Sequence, residues 1–532
     1  MKHYIIYTWI SILSLINFGC SDFLEEFSKD QVYAASCDDL DEVLIGNGYM
    51  KSADPWRYSI SMTSSVYYPE LFILDDDVDE LVAIKESSLN YNSCIVKLRN
   101  FYTWQQNPFV NANAAMTEIK DDTFETLYQH IAYVNTIVSY VDQFPDDPIE
   151  DRKRIRGEGQ FLRGAYYLML NNLYGEAYDT QNPNAVGVPL NTTEYIEDKY
   201  FSRSSVKETY DVIVKDLKSA CENLRRVVQK NFYRTNQLAT RILLSRVYLY
   251  MEDYKNVITQ CDSALLLGCP LKDLNTFNWT SNPKTREYIL DNTNPEIVFT
   301  MGSTITATLF NEARTENYFN SAYCTSDELM QLFQQNDIED LRWKYYFNEH
   351  ARARGKYVQR KTKDIYLSGN IPPSVFEAFI LRTVEIYLNK AEAQAMTGDL
   401  AGAIASLQPI LDTRYTSEKH PDLHTMNEEQ LVNFIRDERR RELCFEGHRW
   451  PDLRRYAVNT KYPLKKEINH VIYSPNNVTG GTYAGYFTLK PYGEDGGWVL
   501  PYPSSEIIYN NGSLVNPDRP ERENSDPNFR TK

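Results

Sequence analysis

The stretch Arg156 to Gly175, RGEGQFLRGAYYLMLNNLYG, decides the fold. Phe161, Ala165, Leu168 and Asn172 form one row at helical spacing, and Leu162, Tyr166, Met169 and Leu173 form the next. Two adjacent rows make an apolar face wide enough for several neighbouring helices to cover. Arg156, Glu158 and Arg163 are expected on or near the polar edge. Gly175 follows the last periodic residue, where a left-handed cap is expected to end the helix. The stretch therefore reads as a core helix of a mainly α protein.

The same string resembles the signature of the SusD/RagB family, in which an Arg/Glu-rich start leads into Phe-Leu-Arg-Ala, an aromatic pair and a Tyr-Gly end. Phe161-Leu162-Arg163, Tyr166-Tyr167 and Tyr174-Gly175 match, while Gly157, Gly159 and Gly164 stand where that family usually has alanine. The resemblance implies a surface lipoprotein that binds oligosaccharide or polysaccharide for a TonB-dependent outer-membrane transporter.

Working outward, composition limits the alternatives. Of 532 residues, 42% are hydrophobic and 24% charged, which fits a globular protein with a sizeable core. A net charge of -17 argues against a nucleic-acid partner, because phosphate binding needs clustered Lys and Arg. It also disfavours a strongly acidic ligand, while leaving room for a local basic pocket. The 40 tyrosines supply flat, amphipathic rings of the kind a sugar-binding surface uses.

Residues 1–19 read as a signal peptide. Lys2 is followed by a short apolar run, Tyr4 to Phe18, too short for a confident membrane span. Gly19-Cys20 resembles a lipoprotein cleavage site, which makes Cys20 the expected lipidation residue and residues 20–37 a tether. Ser21 to Glu26 resembles the mature start of SusD-like proteins. The outer membrane, reached through this lipid, is the expected location. The other seven cysteines contain no C-x-x-C pair and read as neither a disulfide framework nor a zinc site.

Residues 38–270 read as an N-terminal helical body, with Ser205 as an N-cap. A weak internal repeat links its end to residues 381–460. Arg246, Asp253, Val257, Ile258 and Leu265 correspond to Glu392, Asp399, Ala403, Ile404 and Leu411, with tight turns at Glu252-Asp253 and Gly398-Asp399. This is the helix-pair logic of tetratricopeptide repeats. The expected fold is thus SusD-like, with tetratricopeptide-type helix pairs forming a scaffold that carries long loop-rich insertions. Residues 271–380 form the main insertion, in which Glu296 to Thr300 looks like a strand, and residues 461–532 form a loop-rich tail packed on the body.

Two segments offer rings for a ligand. Phe101 to Asn107 lies in a polar, loop-like stretch, and Trp104 and Asn107 resemble the stacking Trp and nearby Asn that family members turn toward the glycan. Tyr318 and Trp343 in the middle insertion are the next candidates. A ring stacks on a sugar's C–H face, while polar side chains bond its hydroxyls. Asp340 and Arg342 match the family's Asp-x-Arg and read as a structural ion pair. Asp75, Asp76, Asp77, Asp79 and Glu80 lack the spacing and glycine of a calcium loop and read as a solvated acidic loop. No metal site is expected.

Glu438, Arg439, Glu442, Leu443, Phe445, Glu446, Gly447 and Arg449, followed by Asp452, Leu453 and Arg454, closely resemble the family's C-terminal motif. Their charges read as a buried or half-buried structural network. No cofactor fingerprint or catalytic constellation stands out: H-E-x-x-H, G-x-S-x-G and a P-loop are all absent. The chain therefore reads as a binding protein and not an enzyme. The alternatives are a surface glycoside hydrolase, since acidic pairs are always on offer, and a repeat scaffold that binds only protein.

Overall fold

The computed structural model describes residues 34–51, 69–82, 94–120, 122–195, 197–282, 284–304, 306–310, 322–334, 338–350, 353–363, 374–416, 421–475 and 481–529. The leader, Cys20 and Tyr318 lie outside these residues. The long helices are α1 (Asp122–Tyr140), α2 (Ile149–Tyr174), α3 (Val206–Asn223), α4 (Gln237–Tyr250), α5 (Tyr254–Leu265), α6 (Val384–Met396), α7 (Leu400–Arg414), α8 (Glu428–Leu443) and α9 (Arg449–Ala457). Each packs on the next from α1 to α6, and α6 then packs on both α7 and α8. The fold is mainly α. Among the described residues the strands form only two-stranded antiparallel ladders.

Local chemistry sets these elements. Ser205 and Glu208 form a reciprocal capping box at the start of α3. The two matching turns of the repeat are built alike. Glu252 and Gly398 are both left-handed, with φ of 58° and 85°, and the aspartate that follows caps the next helix. Asp253 accepts from the Asn256 N–H and Asp399 from the Gly402 N–H. Because α5 lies on α6, the helical layer continues across the insertion that separates them in sequence.

Helix α2 is the centre of the larger core, with Phe161, Leu162, Ala165, Tyr166 and Leu173 all buried. Its departures from the family's alanines have a packing reason. A Cβ on Gly159 would come within 2.8 Å of the Val138 side chain, and one on Gly157 within 2.8 Å of Leu224. Glycine lets α1 and the end of α3 approach more closely than alanine would. Gly175 does end the helix, but not as a left-handed cap: its backbone is extended, with φ at -104°. Glycine is needed there because a Cβ would fall on the Asn171 amide. Glu158 is fully buried and not on a polar edge.

A smaller core lies between α6, α7 and α8. Between the two cores sits a buried charge network. Glu442 accepts from Arg414 at 2.9 Å, Arg382 at 3.1 Å, Arg342 at 3.2 Å and the Tyr346 hydroxyl at 3.0 Å. Arg382 also reaches Glu446 and Glu296, and Arg414 reaches Glu296 at 2.6 Å. Arg342 forks onto Asp340, as the Asp-x-Arg reading expects. Burial works against the Glu442 carboxylate, but Arg414, Arg382 and Arg342 outweigh it and hold its pKa well below the usual range.

The acidic stretch near residue 75 is not a solvated loop. Asp75, Asp76, Asp77 and Glu80 are buried. Asp76 pairs with Arg449 at 2.6 Å and with Lys466, and Asp77 pairs with Arg440 at 2.7 Å. Asp76 and Asp77 are therefore faced by arginine and lysine side chains from the C-terminal part of the chain, whereas Glu80 pairs with Arg99. Asp79, on β1 (Val78–Glu80), has a weaker partner, with the Lys356 ammonium at 3.9 Å. Burial pushes the Asp79 carboxyl up to about 6. A raised folded pKa means stability that is present below the unfolded value and lost as pH rises through 6. Asp79→Asn is thus expected to stabilise the protein at pH 7.5 by up to about 3 kcal/mol and to do nothing below pH 4. Urea midpoints of the variant and parent at both pH values check this, and equal gains at both would refute the assignment.

The tail is less irregular than its sequence implies. It contains a hairpin of Ile468–Ser474 and Thr482–Leu489. His470 on the first strand is stacked between Tyr102 at 4.0 Å and Trp104 at 4.2 Å. Farther on, Arg519 donates to the Gln105 carbonyl and Arg522 to the Trp104 carbonyl.

Candidate ligand-binding site

A cleft of about 720 Å³ opens beside strand Ile297–Met301. Its geometry follows from one buried threonine. The Thr300 N–H donates to the Phe232 carbonyl at 3.0 Å. Its hydroxyl donates to the Phe376 carbonyl at 2.6 Å, and the Phe376 N–H donates back to that hydroxyl at 2.9 Å. Thr300 thereby fastens the 231–234 and 374–378 loops to the same point on the strand. These loops carry the Tyr233 and Phe376 rings, 6.1 Å apart and inclined by 37°. Tyr233 is 39% exposed. Its hydroxyl donates to the Ser374 carbonyl at 2.7 Å, and its backbone N–H donates to Asn231 Oδ1 at 3.0 Å. Two accessible rings are thus held in place before any ligand arrives, which lowers the entropic cost of binding.

The opposite wall is the wide turn Leu44–Gly48, a π-helix closed by the Tyr49 N–H donating to the Leu44 carbonyl at 2.9 Å. Such turns are uncommon and often sit at functional sites. The Tyr166 hydroxyl of α2 anchors it by donating to the Gly48 carbonyl at 2.6 Å. Below the turn, Arg234 bridges Glu158 at 2.8 Å and Asp41 at 2.9 Å, and Tyr49 donates to Glu158. Burial lowers the Arg234 pKa, but the bonds to Asp41 and Glu158 prevail and hold the guanidinium charged. Burial, followed by the Glu158 charge, raises the Tyr49 phenol well above its ordinary value, so it remains a donor.

The residues expected from sequence are not brought together. Trp104 is fully buried and does not lie on an exposed loop. Its indole N–H donates to the Leu74 carbonyl at 3.0 Å and its ring lies on His470, so neither face is open to a sugar. Its backbone is left-handed, with φ at 50°. Asn107 is exposed and lines a different cleft of about 620 Å³, together with Phe124, Tyr502 and Glu506. Trp343 is partly buried against Tyr357 at 4.9 Å. Sequence reading missed Tyr233, Phe376 and Thr300. The only local signal was Asn231-Phe232-Tyr233, an aromatic pair behind a turn-forming asparagine in a polar stretch.

Two family models match the chain. One, described as "SusD family", covers residues 300–518. The other, described as "Starch-binding associating with outer membrane", covers residues 73–249. The chain belongs to the SusD/RagB family. It is 25% identical over 376 residues to the SusD-like protein P38 of Formosa agariphila, covering 61% of this chain and 71% of that protein. Its fold matches a SusD superfamily protein from Bacteroides thetaiotaomicron with a TM-score of 0.66 and 20% identity, over 91% of this chain and 100% of the other. It also matches a SusD-like carbohydrate binding protein from Bacteroides vulgatus, with a TM-score of 0.63 and 18% identity, over 90% and 97% of the two chains. The SusD/RagB models together include strand Ile297–Met301 from Thr300 onward, and so the Thr300 anchor and Phe376, as well as Tyr233 on the facing loop. Among the described residues, no helix is long and apolar enough to cross a membrane.

Proposed function

We propose that this chain is a cell-surface lipoprotein that captures oligosaccharide at the Tyr233–Phe376 cleft and passes it to a TonB-dependent outer-membrane transporter. The observation that carries the binding role is the accessible ring pair fixed by Thr300, beside polar groups at Asn231, Lys51 and Arg234. Sugar rings stack on such pairs through their C–H faces. The sugar-binding and outer-membrane descriptions of the family support the same reading. On this reading the protein holds its ligand and cleaves no bond.

Tyr233→Ala should weaken binding of a recognised oligosaccharide by roughly thirtyfold, the effect of losing a contact hot spot of about 2 kcal/mol. The thermal midpoint should barely change, because the ring is accessible. Calorimetric titration with a glycan panel, combined with an assay for released sugar, provides the test. Undiminished binding in the variant would move the site elsewhere, and released sugar would favour the hydrolase alternative.

The anchor and the partner have their own tests. Cys20→Ala should release the protein from the outer-membrane fraction and abolish fatty-acid labelling. A protein that still sediments and still labels would rule out the anchor. Gentle solubilisation should co-purify a TonB-dependent barrel with the protein, and recovery of the protein alone under several mild conditions would count against that partner.

A further inference from the structure

We infer that two joined clefts beside Glu506 form a second ligand site, one that takes amino sugars through their protonated amine. A groove of about 340 Å³ runs between α1 and the short helix Ser504–Tyr509. It meets the 620 Å³ cleft at Phe124, Glu125 and Glu506, which line both. Among the described residues, neither shares a lining residue with the Tyr233–Phe376 cleft.

The walls are held before any ligand arrives. The Tyr128 hydroxyl donates to the Pro189 carbonyl at 2.7 Å, and the Phe201 N–H donates to Asn510 Oδ1 at 2.8 Å. The Phe124 ring packs on Tyr128 at 4.7 Å and on Tyr502 at 5.4 Å. Tyr509 lines the groove and is 72% exposed.

Charge on these walls is unbalanced. Glu118, Glu125 and Glu506 line the two clefts, and the lining cation among the described residues is Lys120. Lys120 pairs with Glu125 at 2.5 Å, and the other Glu125 oxygen accepts from the Gln129 amide at 3.1 Å. Arg203 lies over the Tyr502 ring and donates to the Tyr174, Val186 and Gly187 carbonyls. Among the described residues, no ion pair or hydrogen bond ends on the Glu506 carboxylate. Burial, followed by the Glu125 charge, raises its pKa, a cost that a bound cation relieves. A protonated amine brings that charge and three N–H donors in one group. The sugar's C–H face suits an open tyrosine ring, and the amine adds cation–π attraction. N-acetylation of the sugar keeps the ring and removes the charge.

The test uses the full-length purified protein slightly below neutral pH, at physiological salt so that long-range attraction to the acidic chain is screened. The ligands are disaccharides of glucosamine and of galactosamine, each with a free amine and N-acetylated. The readout is the calorimetric affinity ratio of the amine form to the N-acetyl form. In at least one pair the parent should favour the amine by roughly tenfold, the scale of a charge-assisted hydrogen bond. Glu506→Gln should shrink that ratio severalfold. Tyr509→Ala should weaken both members of the pair, and Tyr233→Ala should leave both unchanged. The Glu506 and Tyr509 side chains both reach solvent, so the thermal midpoints of their variants should match the parent.

A ratio near one in both pairs, or no binding of any of the four ligands, would overturn this inference. A high ratio unmoved by Glu506→Gln would also overturn it. Loss of amine binding in Tyr233→Ala, with binding kept in Glu506→Gln, would overturn it too and assign the amine to the first cleft.

Discussion

Glu442→Gln should lower the unfolding free energy by about 3–5 kcal/mol, the scale of breaking a buried ion pair from one side. Glu442 is the shared acceptor of Arg342, Arg382 and Arg414, all three with side chains at most 1% exposed. An amide in its place takes away the charge that makes three desolvated guanidiniums tolerable. The remaining acids, Glu296, Glu438 and Glu446, are already shared among the same cations. Glu429→Gln, at an exposed position of the same helix, should stay within about 0.5 kcal/mol of the parent. Urea unfolding followed by circular dichroism gives both numbers. A loss below 1 kcal/mol for Glu442→Gln would show that the network relaxes around a missing charge.

Trp104→Ala is the second large effect, expected to cost about 3–5 kcal/mol because it opens a cavity in a packed region. The variant loses the indole bond to Leu74 and one half of the sandwich around His470. Trp104→Phe should cost less, since a ring remains to cover His470 and only the indole donor goes. Oligosaccharide affinity should be unchanged when both variants are measured well below their midpoints. An unaltered midpoint for Trp104→Ala would mean that the ring contributes nothing to packing. Weakened binding with normal stability would return it to the site.

Helix α2, the cap at Ser205, the turns at Glu252-Asp253 and Gly398-Asp399, and the strand read at Glu296 to Thr300 and found at Ile297–Met301 were all legible, because each depends on residues a few positions apart. The buried role of Glu438, Glu442 and Glu446 was legible through a dense, specific motif. Trp104 was misread because a polar neighbourhood in sequence says nothing about what arrives from elsewhere. Its cover includes His470 and Arg522, over 360 residues away. The acidic stretch at Asp75 to Asp77 misled for the same reason, as its neutralising partners are Arg440, Arg449 and Lys466. The cleft was hidden because Tyr233 and Phe376 belong to loops far apart in sequence, brought together by Thr300 and by the Tyr233 bond to the Ser374 carbonyl.

The clasp between the tail and the early chain also bears on when this protein can finish folding. His470 contacts the Tyr102 carbonyl across 368 positions of sequence, and Arg440 reaches the Asp76 carbonyl across 364. At about 5–20 residues per second, roughly 20–70 seconds of synthesis separate the two sides of each contact. During that interval three adjacent aspartates and a tryptophan have no native cover, while α2 and α3 can already pair locally. The nascent chain therefore carries an unfinished edge until the last arginines emerge. A product truncated before residue 440 would keep most of its helices and still leave that edge open, a form that quality-control proteases are suited to remove.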